Sequence, residues 1–131
     1  MSAVEILAPA SQARTGTSST FDANGFSTLR LDLTARADHG LQSWCRFYIE
    51  TSRATSGPWR TIHERYFVAD HVNPLWWPRS GVEQVSLGGF DRYVRCRWEA
   101  RRQGESPEIA ATGPDLGLVL GLAGDGKPDA V

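Results

Sequence analysis

Histidines, cysteines and glycine-rich turns are the features of this 131-residue chain that could carry out chemistry, and their spacing tests that possibility. His39, His63 and His71 are not spaced as His-x-Glu or His-x-x-x-His, and the two cysteines do not form a Cys-x-x-Cys pair. The sequence also contains no Gly-x-Ser-x-Gly elbow, Walker loop or Gly-x-Gly-x-x-Gly turn. We therefore expect a protein with no enzymatic activity, no metal and no cofactor.

The cysteines Cys45 and Cys96 allow two interpretations. In an immunoglobulin domain, two inward cysteines on facing sheets form a disulfide, with a tryptophan about a dozen residues after the first and a tyrosine two residues before the second. Trp59 has roughly this spacing, but Tyr93 comes three residues before Cys96 and so falls on the opposite face of a strand. Two buried free thiols are favoured in a cytoplasmic chain. The alternative, a bacterial immunoglobulin-like adhesion module, predicts a Cys45–Cys96 bond.

Two adjacent tryptophans, Trp76 and Trp77, lie between Pro74 and Pro78. Their segment cannot be a central strand, and we expect at least one of the two indoles to be exposed. Exposed tryptophans serve as anchors in protein interfaces or as platforms for sugar rings, although a loop folded over one end of the domain would also explain them. A carbohydrate-binding module is therefore one functional hypothesis. The side chains that would fix the sugar hydroxyl groups are Asp70, Asn73 and Arg79.

The segment "RYVRCRW" (92–98) alternates between two kinds of side chain, which is typical of a strand with one buried face. The inward set is Val94, Cys96 and Trp98. The outward set is Tyr93, Arg95 and Arg97. A solvated face and a contact surface for another protein both fit the outward set, since arginine and tyrosine are enriched at interfaces. Nucleic-acid binding is disfavoured, because the chain has a net charge of -1 and nearby glutamates dilute the positive charge.

Other segments alternate in the same way and are separated by short turn sequences. Leu29, Leu31 and Leu33 fall on one face of 28–37, whereas 41–51 carries large side chains on both faces, so its second face is expected to meet more than bulk water. Trp59 is expected to lead an irregular or bulged strand (59–69) into the core. With further strands at 82–90, 92–102, 107–112 and 115–124, we predict an all-β antiparallel sandwich of about seven or eight strands, jelly-roll or immunoglobulin-like.

Both ends of the chain are expected to be extended around a single domain (1–131). Residues 9–25 are small, polar and rich in turn formers, and are predicted to form an extended arm or a long surface loop. Residues 124–131 are predicted to form a flexible tail. Residues 116–122 fit a last sheet strand, or alternatively an apolar strap onto a neighbouring subunit through Leu118 and Leu120. No signal peptide or membrane span is recognisable, which predicts a soluble chain made in the cytoplasm.

Several short motifs follow one another in a suggestive order. They are "EILAPA" (5–10), "LRLDLTA" (29–35), "YIETS" (48–52), "GPWRTI" (57–62), "RYVRCRW" (92–98) and "GESPEIAATG" (104–113). This order, over about residues 4–113, resembles that of a loose family of small β-sandwich virion proteins from tailed bacteriophages and prophages. The chain departs from the pattern at "NPLWWPRSG" (73–81) and after Gly113.

The resemblance implies a structural role in a virus particle, as a capsid decoration protein, a head–tail connection protein or a tail-associated protein. It implies capsid, portal or connector, or tail subunits as partners, a symmetric homo-oligomer, and a location in the virion after synthesis in the bacterial host cytoplasm. Direct contact with nucleic acid or membrane is not expected, and no catalytic residue is carried over. We expect the partner contacts to come from 15–25, 76–79 and 116–122. The side chains predicted to bind a partner are Trp76, Trp77, Arg79, Tyr93, Arg95, Arg97, Leu118 and Leu120.

Overall fold

The computed structural model describes residues 2–36, 43–69, 82–102 and 119–128. Within these ranges the chain forms nine β-strands and no helix, and hence no helix with the length and hydrophobicity of a membrane span. The strands are β1 (Ser2–Ser11), β2 (Thr15–Thr17), β3 (Phe21–Asp22), β4 (Phe26–Arg36), β5 (Ser43–Ser52), β6 (Arg60–Ala69), β7 (Val82–Gly88), β8 (Tyr93–Arg102) and β9 (Val119–Pro128). All their pairings are antiparallel.

The strands form two sheets with a defined order. The first sheet has the order β1-β9-β4-β7, and the second has the order β2-β8-β5-β6, with the short β3 also paired to β8. If β2 and β3 are counted as one interrupted strand, eight strands form two sheets of four with the strand order of a jelly roll. The predicted antiparallel sandwich is confirmed, and of the two predicted topologies the jelly roll is the one formed.

The core lies between the sheets and follows the two-residue period of the strands. In β4, Leu29, Leu31 and Leu33 are completely buried, and they face the inward side chains of β5 and β8. Those side chains are Cys45, Phe47, Ile49, Val94, Cys96 and Trp98. Each fully buried leucine contributes about 1.5–3 kcal/mol, so a one-residue slip of β4 would expose all three. The inward faces predicted for β4 and β8 are confirmed.

The N-terminal segment is folded, which corrects the prediction of an arm or surface loop at 9–25. Ser2–Ser11 is an edge strand of the first sheet that buries Val4 and Ile6, and Thr15–Thr17 pairs with β8. The Trp98 indole N–H also donates to the Ala13 carbonyl at 3.0 Å. The segment is held by backbone pairing, and its composition of small polar side chains therefore does not predict that it is ordered.

The C-terminal prediction is corrected as well. Gly124–Pro128 is not a flexible tail, because β9 runs to Pro128 between β1 and β4. The strand interpretation of 116–122 is confirmed for its described part, and Leu120 is completely buried in the core. Leu120 is therefore not a surface contact, which corrects its assignment to a partner. Leu118 lies outside the described residues.

Candidate binding surface

The outer face of the second sheet carries alternating arginine and aromatic side chains. Cross-strand pairing between β5 and β8 places Trp44 opposite Arg101, Tyr48 opposite Arg97, and Glu50 opposite Arg95. Neighbouring Tyr66 of β6 stands opposite Arg46 of β5. We call this surface the arginine–aromatic face. It consists of Trp44, Arg46, Tyr48, Glu50, Tyr66, Arg95, Arg97, Glu99 and Arg101.

Glu50 is the centre of one half of this face. Its side chain is only 8% exposed, and its carboxylate accepts hydrogen bonds from Arg95 Nε at 3.0 Å and Arg97 Nε at 3.3 Å. The Arg97 guanidinium also lies 4.2 Å from the centroid of the Tyr48 ring, and that of Arg95 lies 4.1 Å from the Trp59 ring. Both guanidinium groups are thus held by a carboxylate and an aromatic ring, which fixes their positions.

The other half of the face is built around Trp44. Its ring packs against Tyr66 with 5.9 Å between centroids, and Arg46 lies 5.7 Å from the Trp44 centroid and 5.8 Å from that of Tyr66. Arg101 stacks on Trp44 at 5.3 Å and forms an ion pair with Glu99. Tyr66 remains 51% exposed. The side chains of this surface are therefore held in place by contacts within the protein, while a large aromatic side chain still faces solvent.

The outward orientation of Tyr93, Arg95 and Arg97 is confirmed: their inward neighbours are buried, and Arg95 and Arg97 pair with Glu50. Their role in binding a partner stays a prediction. The predicted contacts Trp76, Trp77 and Arg79 lie outside the described residues, as do Asp70 and Asn73. The aromatic partners Trp44 and Tyr66 were not selected from the sequence. The signal for Trp44 was the presence of large side chains on both faces of 41–51.

The prediction that Trp59 enters the core is wrong. Trp59 is only partly buried, and its ring packs under Arg95 on the outer face of the second sheet. The cause is a bulge: Ile49 pairs with His63, but the next residue, Glu50, pairs with Thr61. The extra residue reverses the alternation at the start of β6, so Trp59 emerges on the outside.

A cleft of about 400 Å³ lies beside Trp59, between the loop joining β5 to β6 and Asp91. The Thr51 hydroxyl accepts a hydrogen bond from the Asp91 backbone N–H at 2.9 Å and donates one to the Tyr93 carbonyl at 2.7 Å. Arg60 donates to the Gly89 carbonyl at 3.0 Å and to the Asp91 carboxylate at 3.4 Å. These contacts fix both walls of the cleft.

The cysteines do not form the immunoglobulin disulfide. Cys45 and Cys96 are free, buried, and on neighbouring strands of the same sheet. Cys45 pairs with Ala100 and Cys96 with Ile49, so the two lie four residues apart along the ladder, roughly 13 Å. A disulfide needs Cα atoms within about 7 Å. Burial raises the pKa of both thiols, that of Cys96 to about 11.

The described ranges contain no group of three or more histidine, cysteine, aspartate or glutamate residues placed to hold a metal ion. Comparison with known proteins gives no family assignment: no family model, no curated protein and no solved structure matches this chain.

Proposed function

We propose that this protein is a non-enzymatic structural subunit of a tailed-phage or phage-derived particle. In this proposal it binds other virion subunits through the arginine–aromatic face, as a capsid decoration, head–tail or tail-associated protein. The composition of that face is the observation that carries the proposal. Tryptophan, tyrosine and arginine are the residues that dominate the binding energy of protein interfaces, and here they cover one side of a sheet.

The geometry of the face supports binding because its side chains are already ordered. A flexible arginine loses rotamer freedom when a partner immobilises it, at a cost of roughly 0.5–1.5 kcal/mol for each such side chain. Arg95 and Arg97 are held by Glu50 and by aromatic rings, so much of that cost is met when the protein folds. Interleaved carboxylates also limit non-specific attraction to polyanions.

The particle assignment is supported by the jelly-roll topology and by the order of sequence motifs. Jelly rolls occur in viral capsid and lectin domains, and a fold alone does not specify a function. The motif order favours the viral context over the lectin one. On a symmetric particle, many copies of one modest contact combine into firm attachment.

Particle incorporation is the test. Particles from a producing strain are purified, and the protein is quantified by mass spectrometry for the wild type and two variants. The double variant Arg46→Ala/Tyr66→Ala removes an exposed part of the arginine–aromatic face. The control, Arg30→Ala, removes an exposed arginine from the outer face of the first sheet.

We expect the wild type and Arg30→Ala to be incorporated equally, and the double variant to be depleted at least about tenfold while keeping its thermal unfolding midpoint. Absence of the wild-type protein from the particles would contradict the particle assignment. Normal incorporation of a folded double variant would contradict the role of the arginine–aromatic face.

A further inference from the structure

The cleft beside Trp59 lies outside the arginine–aromatic face and has its own chemistry. We propose that it binds an acidic sugar, a pyranose that carries a carboxylate. This inference does not depend on the proposed particle function, and it uses none of the residues assigned to sugar binding from the sequence. Three side chains carry it: Trp59, Arg53 and Asp91.

Trp59 supplies a fixed aromatic platform. The Arg95 guanidinium lies 4.1 Å from the centroid of its ring, and Arg95 does not line the cleft, so it covers the side of the indole that faces away. The loop passes close to the edge of the ring, where a Cβ on Gly57 would come within 2.9 Å of Trp59 Cδ1. The indole is held from behind and at its edge, which leaves the rest of its surface to the cleft. Flat apolar faces of sugar rings pack on such a surface.

Arg53 supplies the positive charge for a carboxylate. Its side chain is 93% exposed, and its Nε approaches Asp91 only to 3.9 Å, beyond hydrogen-bond distance. Most of its five N–H donors are therefore available to a ligand. A guanidinium binds a carboxylate through two parallel hydrogen bonds, so Arg53 suits an acidic group better than a neutral hydroxyl.

Asp91 supplies an acceptor for sugar hydroxyl groups. Its Oδ2 accepts from Arg60 at 3.4 Å, while among the described residues only Arg53 approaches the Oδ1 atom, at 3.9 Å. Among the described lining residues, Asp91 is the one acidic side chain, against the two arginines Arg53 and Arg60. The lining thus has a net positive charge together with one carboxylate that can order hydroxyl groups.

The size of the cleft and the combination of groups select the ligand class. About 400 Å³ is at the lower end of the range for small-molecule sites, about 300–1,000 Å³. A bare anion would leave Trp59 without a contact, and a neutral sugar would leave the Arg53 guanidinium unmatched. A carboxylated pyranose uses the ring platform, the cation and the acceptor together.

The experiment compares two probes of equal length. A hyaluronan tetrasaccharide contains glucuronate, whereas chitotetraose contains only the neutral N-acetylglucosamine. Binding of each is measured by saturation-transfer NMR and calorimetry for the wild type, Arg53→Ala, Trp59→Phe and Trp59→Ala, with Arg30→Ala as the matched arginine control. Arg53→Ala changes a side chain that is 93% exposed, so we expect the variant to fold as the wild type does. Thermal unfolding shows whether the two tryptophan variants are folded.

We expect the acidic tetrasaccharide to bind at least about tenfold more tightly than chitotetraose. Arg53→Ala should abolish that preference, and Trp59→Ala should weaken both probes while Trp59→Phe retains part of the binding. Equal binding of the two probes, or binding of neither, would overturn the proposal. A simple anion site would also overturn the proposal. It would be shown if sodium phosphate fully displaced the acidic tetrasaccharide and Trp59→Ala bound that tetrasaccharide as tightly as the wild type does. Because Arg53 is not part of the arginine–aromatic face, Arg53→Ala should still be incorporated into particles, so failure of the sugar proposal can be told apart from failure of the proposed function.

Discussion

Arg65 of β6 and Glu83 of β7 form an ion pair between the two sheets, with 2.8 Å between Nε and Oε2. β6 and β7 are edge strands of different sheets, so this contact joins the sheets at one side of the sandwich. Both side chains are mostly buried, with 27% and 21% of their surface exposed. A partly buried pair in such a place is screened less by solvent than an ordinary surface pair.

The coupling between these two residues can be measured by a double-mutant cycle with Arg65→Met and Glu83→Gln. We expect a coupling of about 1 kcal/mol in the free energy of unfolding from urea denaturation, because exposed pairs give about 0.2–1 kcal/mol and this pair is less exposed. The coupling should decrease in high salt. The half-exposed pair Arg92–Asp22 is the control and should give a smaller value; a coupling no larger than that of the control would contradict the role of the ion pair.

His63, next to this ion pair, should make stability depend on pH. Its Nε2 is buried without a hydrogen-bond partner among the described residues, and burial lowers its pKa below 6.5, with Glu83 raising it and Arg65 lowering it to smaller extents. Below its ordinary pKa, the unfolded chain takes up a proton that the folded chain resists. The urea midpoint should therefore fall as the pH drops from about 7.5 to 5.5.

His63→Gln should flatten part of this pH dependence, and the comparison of variant with wild type removes the contributions of the other two histidines. Asp22 does not interfere. Its hydrogen bond with Arg92 lowers its pKa, so the stability it contributes is lost only at more acidic pH. An unchanged profile in His63→Gln would mean that the imidazole does not titrate differently in the folded and unfolded states.

Gly124 should tolerate alanine far less well than Gly88 does. A Cβ at Gly124 would collide with the Arg30 carbonyl oxygen and come within 2.9 Å of the Leu31 Cα, whereas a Cβ at Gly88 would meet nothing within 4 Å. Backbone atoms cannot turn aside as a side chain can, so Gly124→Ala should destabilise the protein by about 1–3 kcal/mol. Gly88→Ala should be neutral or slightly stabilising, because it restricts the unfolded chain. Equal effects in chemical denaturation would contradict the β4–β9 packing.

The thiols Cys45 and Cys96 should react slowly in the native protein and quickly in denaturant. Both are completely buried, and the pKa of Cys96 is raised to about 11, so little of either thiolate forms at about pH 8. Iodoacetamide labelling followed by mass spectrometry should add no label to the folded chain within minutes and two labels in guanidinium. A single label on the folded chain would indicate a local opening. A mass change on reduction would indicate a disulfide.

The faces of β4, β5 and β8 were predictable because a strict two-residue alternation leaves only one way to bury Leu31, Phe47 and Trp98 together. β1, β2 and the end of β9 were not. β2 and the end of β9 are held by backbone hydrogen bonds and by close approaches to glycine, as at Gly16 under the Trp98 ring, and neither leaves a periodic trace in the sequence. β1 alternates only at Val4 and Ile6 before its register shifts. An edge strand and a loop can both consist of small polar residues, so composition alone does not distinguish them.

For the candidate surface, the sequence predicted which residues of 92–98 point outward but not what they meet. The partners of Arg97, namely Tyr48 and Glu50, come from the register between β5 and β8, which depends on the whole sheet. The position of Trp59 was missed for a related reason. A single bulged residue in β6 reversed its side; the irregular pattern of 59–69 indicated a bulge but not its position, which decides the side of Trp59.

Glu50 is the residue on which the order of the arginine–aromatic face depends most directly. Replacing it with glutamine removes the charge that holds Arg95 and Arg97 and should lower the free energy of unfolding by about 1–3 kcal/mol. This loss of unfolding free energy is smaller than that expected for a fully buried pair, since both arginines are partly exposed.

Glu64→Gln is the control, at an exposed position of the neighbouring strand opposite Tyr48. It should change the free energy of unfolding by less than about 0.5 kcal/mol. If both variants lose the same stability, Glu50 does not organise the face. If only Glu50→Gln loses stability, the variant also tests the proposed function, which predicts that its affinity for the proposed virion partner falls although every exposed aromatic side chain is still present.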